Sequence, residues 1–227
     1  MVATPIGNLD DITLRALTVL RSCDTVLCED TRVTRKLLTH YEIDTPTLSF
    51  HEHSGDIKYD KVLELLRDGA HLALVSDAGT PTVSDPGAGL VARVRSDLPD
   101  VCIEVIPGPS ALVAALSIAG VPADSFTFLG FPPHKKGRQT FFDTLAARTD
   151  GLPTIFYESP HRLVKALEAL HARLTDHDQV TVCRELTKLH EEVVQGTAAC
   201  VLDHFLAHPD TVRGECVVIV RLGAVAA

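Results

Sequence analysis

The sequence predicts an α/β protein built from two α/β domains, and three observations predict it. In the first half, short apolar runs alternate with segments whose apolar residues recur at helical spacing, the pattern of strands and helices in a largely parallel sheet. Several of the apolar runs empty into loops rich in Gly, Pro and ionisable residues, as strands of open α/β sheets do where they bind ligands. Third, the pattern changes at residues 121–135. There Val-Pro-Ala-Asp, the apolar run Phe126 to Phe131 and Pro132-Pro133 read as a linker, a strand and a stop, so the domains are expected at 1–120 and 121–227.

Each element follows from its local pattern. Asp10 or Asp11 can cap a helix with Ile12, Ala16, Val19 and Leu20 on one face. Thr25 to Cys28 reads as a strand, followed by a helix from Thr31 with Val33, Leu37 and Tyr41 on one side. Thr47 to Phe50 is a short strand, and Tyr59 to Arg67 a helix burying Val62, Leu65 and Leu66. A strand over 71–75, a helix after Pro86, a strand over Val101 to Ile106 and a helix from Ser110 to Ala119, stopped by Gly120, complete the first domain. The second offers helix 138–148, strand 154–157, helix 161–174, strand 179–184, a short strand near Val193, helix 197–207 and strand 215–221.

Composition narrows the class. With 227 residues, 45% hydrophobic and 22% charged, the chain is globular and large enough for a substantial core. No apolar run approaches the ~20 residues that span a bilayer, and the N-terminus lacks a signal-peptide layout. Six scattered cysteines, with no Cys-x-x-Cys pair, read as reduced, mostly buried thiols of a cytoplasmic protein. The net charge of −9 argues against a general nucleic-acid binder. An acidic protein can still bind RNA through segregated clusters, and two stand out: Arg32, Arg35 and Lys36, then Lys135, Lys136 and Arg138.

The chemistry-bearing residues gather at strand ends. Ser76 through Gly87 and Pro107-Gly108-Pro109-Ser110-Ala111 both run from a strand through Pro and Gly toward a helix. Glu29-Asp30-Thr31-Arg32, Tyr157-Glu158-Ser159-Pro160-His161-Arg162 and Arg184-Glu185-Leu186-Thr187-Lys188 occupy the same kind of position. One charged loop is an ordinary capped turn; five are a candidate site. Other motifs fail. Gly87-Ala88-Gly89 lies too far past its strand for a dinucleotide fingerprint, and Ser110 is in no nucleophile elbow. His51-Glu52-His53 offers no recognisable third metal ligand, and nothing else requires a metal.

Together with Ala3-Thr4-Pro5-Ile6-Gly7-Asn8-Leu9, these loops resemble the tetrapyrrole-methylase superfamily over nearly the whole chain. Within it they look like the branch that methylates a cytidine 2′-hydroxyl in small-subunit ribosomal RNA. The resemblance implies a homodimeric two-domain enzyme with S-adenosylmethionine folded in the cleft between domains, the class III arrangement. It implies that Gly79, Thr80 and Val83 wrap the methionine and ribose part, that Ser110 and Ala111 form a second cofactor loop, and that Tyr157 and Leu186 flank the adenine. The chain starts close to Val2-Ala3-Thr4, giving a shorter first strand than the family shows, and stops at Gly223 to Ala227, where the branch commonly continues into a small helical extension.

Methylating a ribose hydroxyl needs a base or a group that stabilises the alkoxide. Glu158, Glu185 and Lys188 are the candidates. Lys188 is favoured nearest the hydroxyl, with Arg184 and partial burial lowering its pKa and Glu185 orienting it; a plain Glu185–Lys188 ion pair is the bland alternative. Arg32 or Arg162 would hold a flanking phosphate, so the RNA set is Arg32, Arg35, Lys36, Lys135, Lys136, Arg138 and Arg162. Two other readings stay open: a sibling methylase acting on a tetrapyrrole or a modified protein side chain, and a non-catalytic ribosome-assembly factor. Few aromatic residues tell against the first, and the polar strand-end loops against the second.

Overall fold

The computed structural model describes residues 1–51 and 55–223. Glu52 and His53 of the His-Glu-His motif lie outside the described residues. The chain divides into two compact units, Met1–Ser110 and Ala111–Ala227.

The first unit is built on three parallel strands in the order β2-β1-β3: β1 is Thr25–Cys28, β2 Thr47–Ser49 and β3 Leu72–Leu74. Because side chains alternate across a strand, these short apolar runs feed two cores. Val26, Cys28, Ala73 and Val75 face α1 (Leu14–Ser22) and α2 (Thr31–His40), packing on Ala16, Leu20, Leu37 and Leu38. Leu27 and Leu74 face α3 (Asp56–Arg67) and α4 (Ala88–Asp97), packing on Val62, Leu63, Leu90 and Val94.

Several expected details are corrected. The cap of α1 is Thr13, whose hydroxyl accepts from the Ala16 N–H at 3.1 Å; Asp10 and Asp11 belong to a separate 3-10 turn capped by Asn8. On α2 the buried face carries Thr34 rather than Val33, which is exposed. Residues 101–106 form no strand: only Ile106 bridges, in parallel, to Val2. The Met1 ammonium donates to the Glu104 carbonyl at 2.9 Å, and burial pushes its pKa down. An apolar cleft of 370 Å³ runs along β3 here, lined by Leu74, Leu90, Val94, Val101 and Ile103 among others, and it holds none of the expected site residues.

The second unit carries a mixed sheet in the order β4-β5-β8-β6-β7. These are Thr127–Phe128, Thr154–Glu158, Cys216–Arg221, Gln179–Arg184 and Glu192–Gly196 respectively. Only β4 and β5 are parallel; the remaining pairs are antiparallel. One face packs Phe156, Val180, Val182, Val218 and Val220 on Phe142 and Leu145 of α6 (Arg138–Ala146), Leu163 and Leu167 of α7 (Pro160–His171), and Val201 and Phe205 of α8 (Ala198–Ala207). Ile155, Thr181 and Ile219, pointing the other way, are buried as well, which is why the central strands read as continuous apolar runs. The helix α5 (Ala111–Ile118) groups with this unit.

Candidate functional site

In the first unit the parallel arrangement sends consecutive loops out at the same sheet edge. The loop 29–32 leaves β1, and 76–87 leaves β3; the segment after Val2 and the one after Ile106 run parallel to each other. Side-chain and backbone bonds stitch these loops together. Thr4 and Gly79 exchange backbone bonds at 2.9 and 3.1 Å, the Thr4 hydroxyl donates to the Ser76 carbonyl at 3.2 Å, and the Thr80 hydroxyl donates to the Pro109 carbonyl at 3.0 Å. The Asp30 N–H donates to Asp77 Oδ1 at 3.1 Å, tying in the β1 loop.

The loop 76–87 is forced into unusual backbone. Gly79 has φ +83°, and a Cβ there would meet Ile6 Cγ2 at 3.4 Å, so the dihedral rather than crowding demands glycine. Thr82 and Ser84 also adopt positive φ, +75° and +63°, with no glycine to make it easy. A β-branched residue there is strained, and strain of this kind persists where surrounding structure imposes it, often at ligand sites. Val83 lies between them, half-buried, with its N–H on the Thr80 carbonyl at 3.4 Å. Ser110 is half-buried at the end of the unit.

The basic residues of α2 sit on its outer side. Arg32, Arg35, Lys36 and His40 line one shallow surface depression. Arg32 is tied to Asp30 at 2.6 Å, and that guanidinium holds the half-buried Asp30 carboxyl down at about 2.

In the second unit, Tyr157 stands in a small aromatic group missed by sequence reasoning. Its ring lies 4.9 Å from Phe128 and 5.4 Å from Phe131, centroid to centroid, and its hydroxyl accepts from the Leu112 N–H beside the half-buried Ala111. Phe131 is half-open, so the group presents apolar ring surface of the kind an adenine stacks on. The signal was the spacing of Phe128, Phe131 and Tyr157 around a predicted strand end.

Leu186 is buried between two residues of positive φ, Glu185 at +49° and Thr187 at +66°. The turn is wound by the Lys188 N–H on the Glu185 carbonyl and by the Thr187 N–H on the Glu191 carboxylate. Lys188 Nζ donates to Glu185 Oε1 at 2.8 Å, the expected pair. Its expected surroundings differ: the Lys188 side chain is 40% exposed, and Arg184 turns away to Glu192 at 2.5 Å, its cross-strand partner. Burial pushes the Glu192 carboxyl up, but Arg184 and the His204 ring together hold it below its ordinary value. Gly214 was also missed. A Cβ there would lie 1.8 Å from Glu185 Oε1.

Glu158 departs most from expectation. It is fully buried, with Arg138 Nη2 on Oε2 and Arg162 Nη2 on Oε1, each at 2.8 Å, and the Ser159 N–H on Oε1 at 2.7 Å. A carboxylate so enclosed is not placed to take a proton from an outside hydroxyl, and no bond joins it to Glu185 or Lys188 among the described residues. Arg138 and Arg162 are correspondingly inward, whereas Lys135 and Lys136 are exposed.

Comparisons with known proteins converge. Residues 1–201 match the family of Tetrapyrrole (Corrin/Porphyrin) Methylases. A protein of Mesorhizobium japonicum named ribosomal RNA small subunit methyltransferase I is 47% identical over 97% of this chain and 74% of its own length. Proteins of the same name from Hydrogenobaculum sp. and Thermotoga maritima are 42% and 41% identical, covering 96% and 90% of this chain and 93% and 90% of theirs. Among solved structures, a cobalt precorrin-4 methyltransferase superposes with a TM-score of 0.68 at 18% identity, covering 97% of this chain and 92% of that one. A uroporphyrin-III-C-methyltransferase from Thermus thermophilus gives 0.62 at 19%, covering 98% and 92%. At such identity these two share the fold.

Proposed function

The chain belongs to the tetrapyrrole (corrin/porphyrin) methylase family, and within it we propose an enzyme that methylates the 2′-hydroxyl of a cytidine in small-subunit ribosomal RNA. The observation that carries this reading is identity of 41–47%, over nearly the whole chain, to proteins named as small-subunit ribosomal RNA methyltransferases. The solved tetrapyrrole enzymes, below 20% identity, do not favour that other substrate class.

The methyl donor is S-adenosylmethionine, which supplies an electrophilic methyl on a sulfonium and leaves as a neutral thioether. The residues present fit it. Strained backbone at 79–84, closed by the Thr80–Pro109 bond, gives Gly79, Thr80, Val83 and Ser110 a rigid loop whose N–H groups can meet the methionine carboxylate and ribose. Ala111, Tyr157 and Leu186, with the rings of Phe128 and Phe131, provide apolar surface for the adenine.

Lys188 is the group we place nearest the acceptor hydroxyl. Held by Glu185, its ammonium would stabilise the developing alkoxide, and Glu185 is the adjacent proton acceptor. Arg32, Arg35 and Lys36, together with Lys135, Lys136, Arg138 and Arg162, would engage RNA phosphates. The enzyme would act in the cytoplasm as a homodimer; no helix among the described residues is long and apolar enough to cross a membrane.

The test is transfer of a labelled methyl group to naked RNA, isolated small subunits and whole ribosomes from a strain lacking the protein. The expected result is label in a single cytidine 2′-O-methyl of the small-subunit RNA. Label on no RNA substrate would overturn the reading.

A further inference from the structure

Glu158 ends β5, and two of its partners follow it closely in the chain while the third comes from 20 residues before it. Arg138 opens α6, Arg162 lies in the first turn of α7, and Ser159 is the residue between. The guanidiniums also reach backward: Arg138 Nη1 donates to the Pro133 carbonyl and Arg162 Nη1 to the Pro132 carbonyl, both at 3.4 Å, while Arg162 Nε donates to the Ser159 hydroxyl at 3.1 Å. The Arg138 guanidinium lies 5.3 Å over the Phe142 ring. The five contacts to Glu158, Ser159, Pro132 and Pro133 occupy half of the ten N–H donors that two guanidiniums carry.

Two positive groups around one buried carboxylate leave a net charge of +1. The arginine side chains retain 14% and 18% of their exposure, and the Pro132–Pro133 carbonyls they hold begin the loop that carries exposed Lys135 and Lys136. Buried ion pairs contribute weakly to stability, since desolvation offsets attraction; what they fix is geometry. Planar guanidinium forks suit phosphate when they are held in place.

We propose that Glu158 is a positioning residue. It locks Arg138 and Arg162 into a preformed two-guanidinium clamp for one phosphate of the RNA backbone, with Lys135 and Lys136 extending the same basic strip. This rests on the reading of the chain as a small-subunit RNA methyltransferase.

Electrostatics alone and positioning predict opposite signs. Glu158→Gln removes a negative charge, so a purely electrostatic surface would bind RNA more tightly. A clamp that has lost its anchor binds more weakly. Affinity for transcribed small-subunit ribosomal RNA would be measured against salt, beside affinity for S-adenosylhomocysteine and the melting temperature. For Glu158→Gln we expect RNA affinity to fall about tenfold, and the slope of log affinity on log salt to flatten by about 0.9, the loss of one phosphate contact. Homocysteine-compound affinity should stay within about twofold of wild type.

Removing one partner of a buried pair can unfold a protein, so Arg162→Lys serves as the second variant, keeping the charge and losing the fork. It should weaken RNA binding in the same direction while the fold is retained. Tighter or unchanged RNA binding in a folded Glu158→Gln, or unchanged binding in Arg162→Lys, overturns the proposal. If the wild-type protein binds this RNA and neither variant weakens it, the clamp is overturned and the enzyme reading stands; wild-type protein that binds no small-subunit RNA overturns both.

Discussion

At Gly214 the absence of a side chain is what lets Glu185 stand where it does. An added Cβ would lie 1.8 Å from Oε1 and 2.8 Å from the carboxyl carbon, and Gly214 has φ +68° besides. Gly214→Ala should therefore push the Glu185 carboxylate aside and release Lys188. If the pair acts on the hydroxyl, turnover falls about 100-fold while the affinity for cofactor holds. The companion measurement is Lys188→Met against Glu185→Gln. Near-normal turnover in the first with a ~100-fold loss in the second assigns the proton to the carboxylate without help from the amine. Unchanged turnover in all three variants would reduce the pair to a surface ion pair, which is worth little. The Glu185–Lys188 partnership was legible from a spacing of three residues. Gly214 was not, because a glycine in an Arg-Gly-Glu loop carries no sign of which distant side chain it makes room for. Glu158 misled for the same kind of reason: its neighbours in sequence are polar and catalytic in type, but Arg138, 20 residues away, determines what its carboxylate does.

Among elements, the strands of the second unit were legible because continuous apolar runs such as residues 216–220 are buried on both faces. The helix boundaries were harder, since several polar residues compete to cap. At α1 Asp10 or Asp11 was the expected cap, but the structure uses Thr13, leaving the aspartates to the preceding 3-10 turn. Thr13→Ala should cost about 1 kcal/mol by urea denaturation, and Asp11→Ala no more than about 0.5 kcal/mol. The reverse order would move the cap back to the aspartates. Residues 101–106 failed for another reason. Their composition suits a strand, but a strand needs a partner along its length, and only Ile106 has one, Val2. Propensity described the segment; pairing decided it.

Taken whole, the chain carries a net charge of −9, and the RNA reading requires that its cations be segregated. Of the proposed RNA set, Arg32, Arg35 and Lys36 are exposed on the outer side of α2 and Lys135 and Lys136 in the loop before α6, each cluster within its own unit. The two units also keep separate cores, and the cysteines report on both. Cys23 and Cys28 are buried in the first and Cys183 and Cys216 in the second, so most of the thiols are out of reach as expected, and Cys102 and Cys200 are exposed. Burial pushes the Cys183 and Cys216 thiols up to about 12 from the usual 9.0. A thiol whose folded pKa is raised contributes stability that is fully present below about 9, where folded and unfolded chains both hold the proton. That contribution is lost as pH climbs toward about 12, because the unfolded chain ionises first. Stability to urea should thus decline between pH 9 and 11, and the decline should lessen in a Cys183→Ser, Cys216→Ser double variant. Alkylation of native protein near pH 8, mapped by mass spectrometry, should label Cys102 and Cys200 and spare the other four. With rising urea the protected thiols should appear as pairs, Cys23 with Cys28 and Cys183 with Cys216, each pair at the denaturant concentration where its own core opens. Labelling of Cys183 in native protein as fast as Cys102 would contradict the second core, and release of Cys23 together with Cys183, ahead of their partners, would contradict the division into two units.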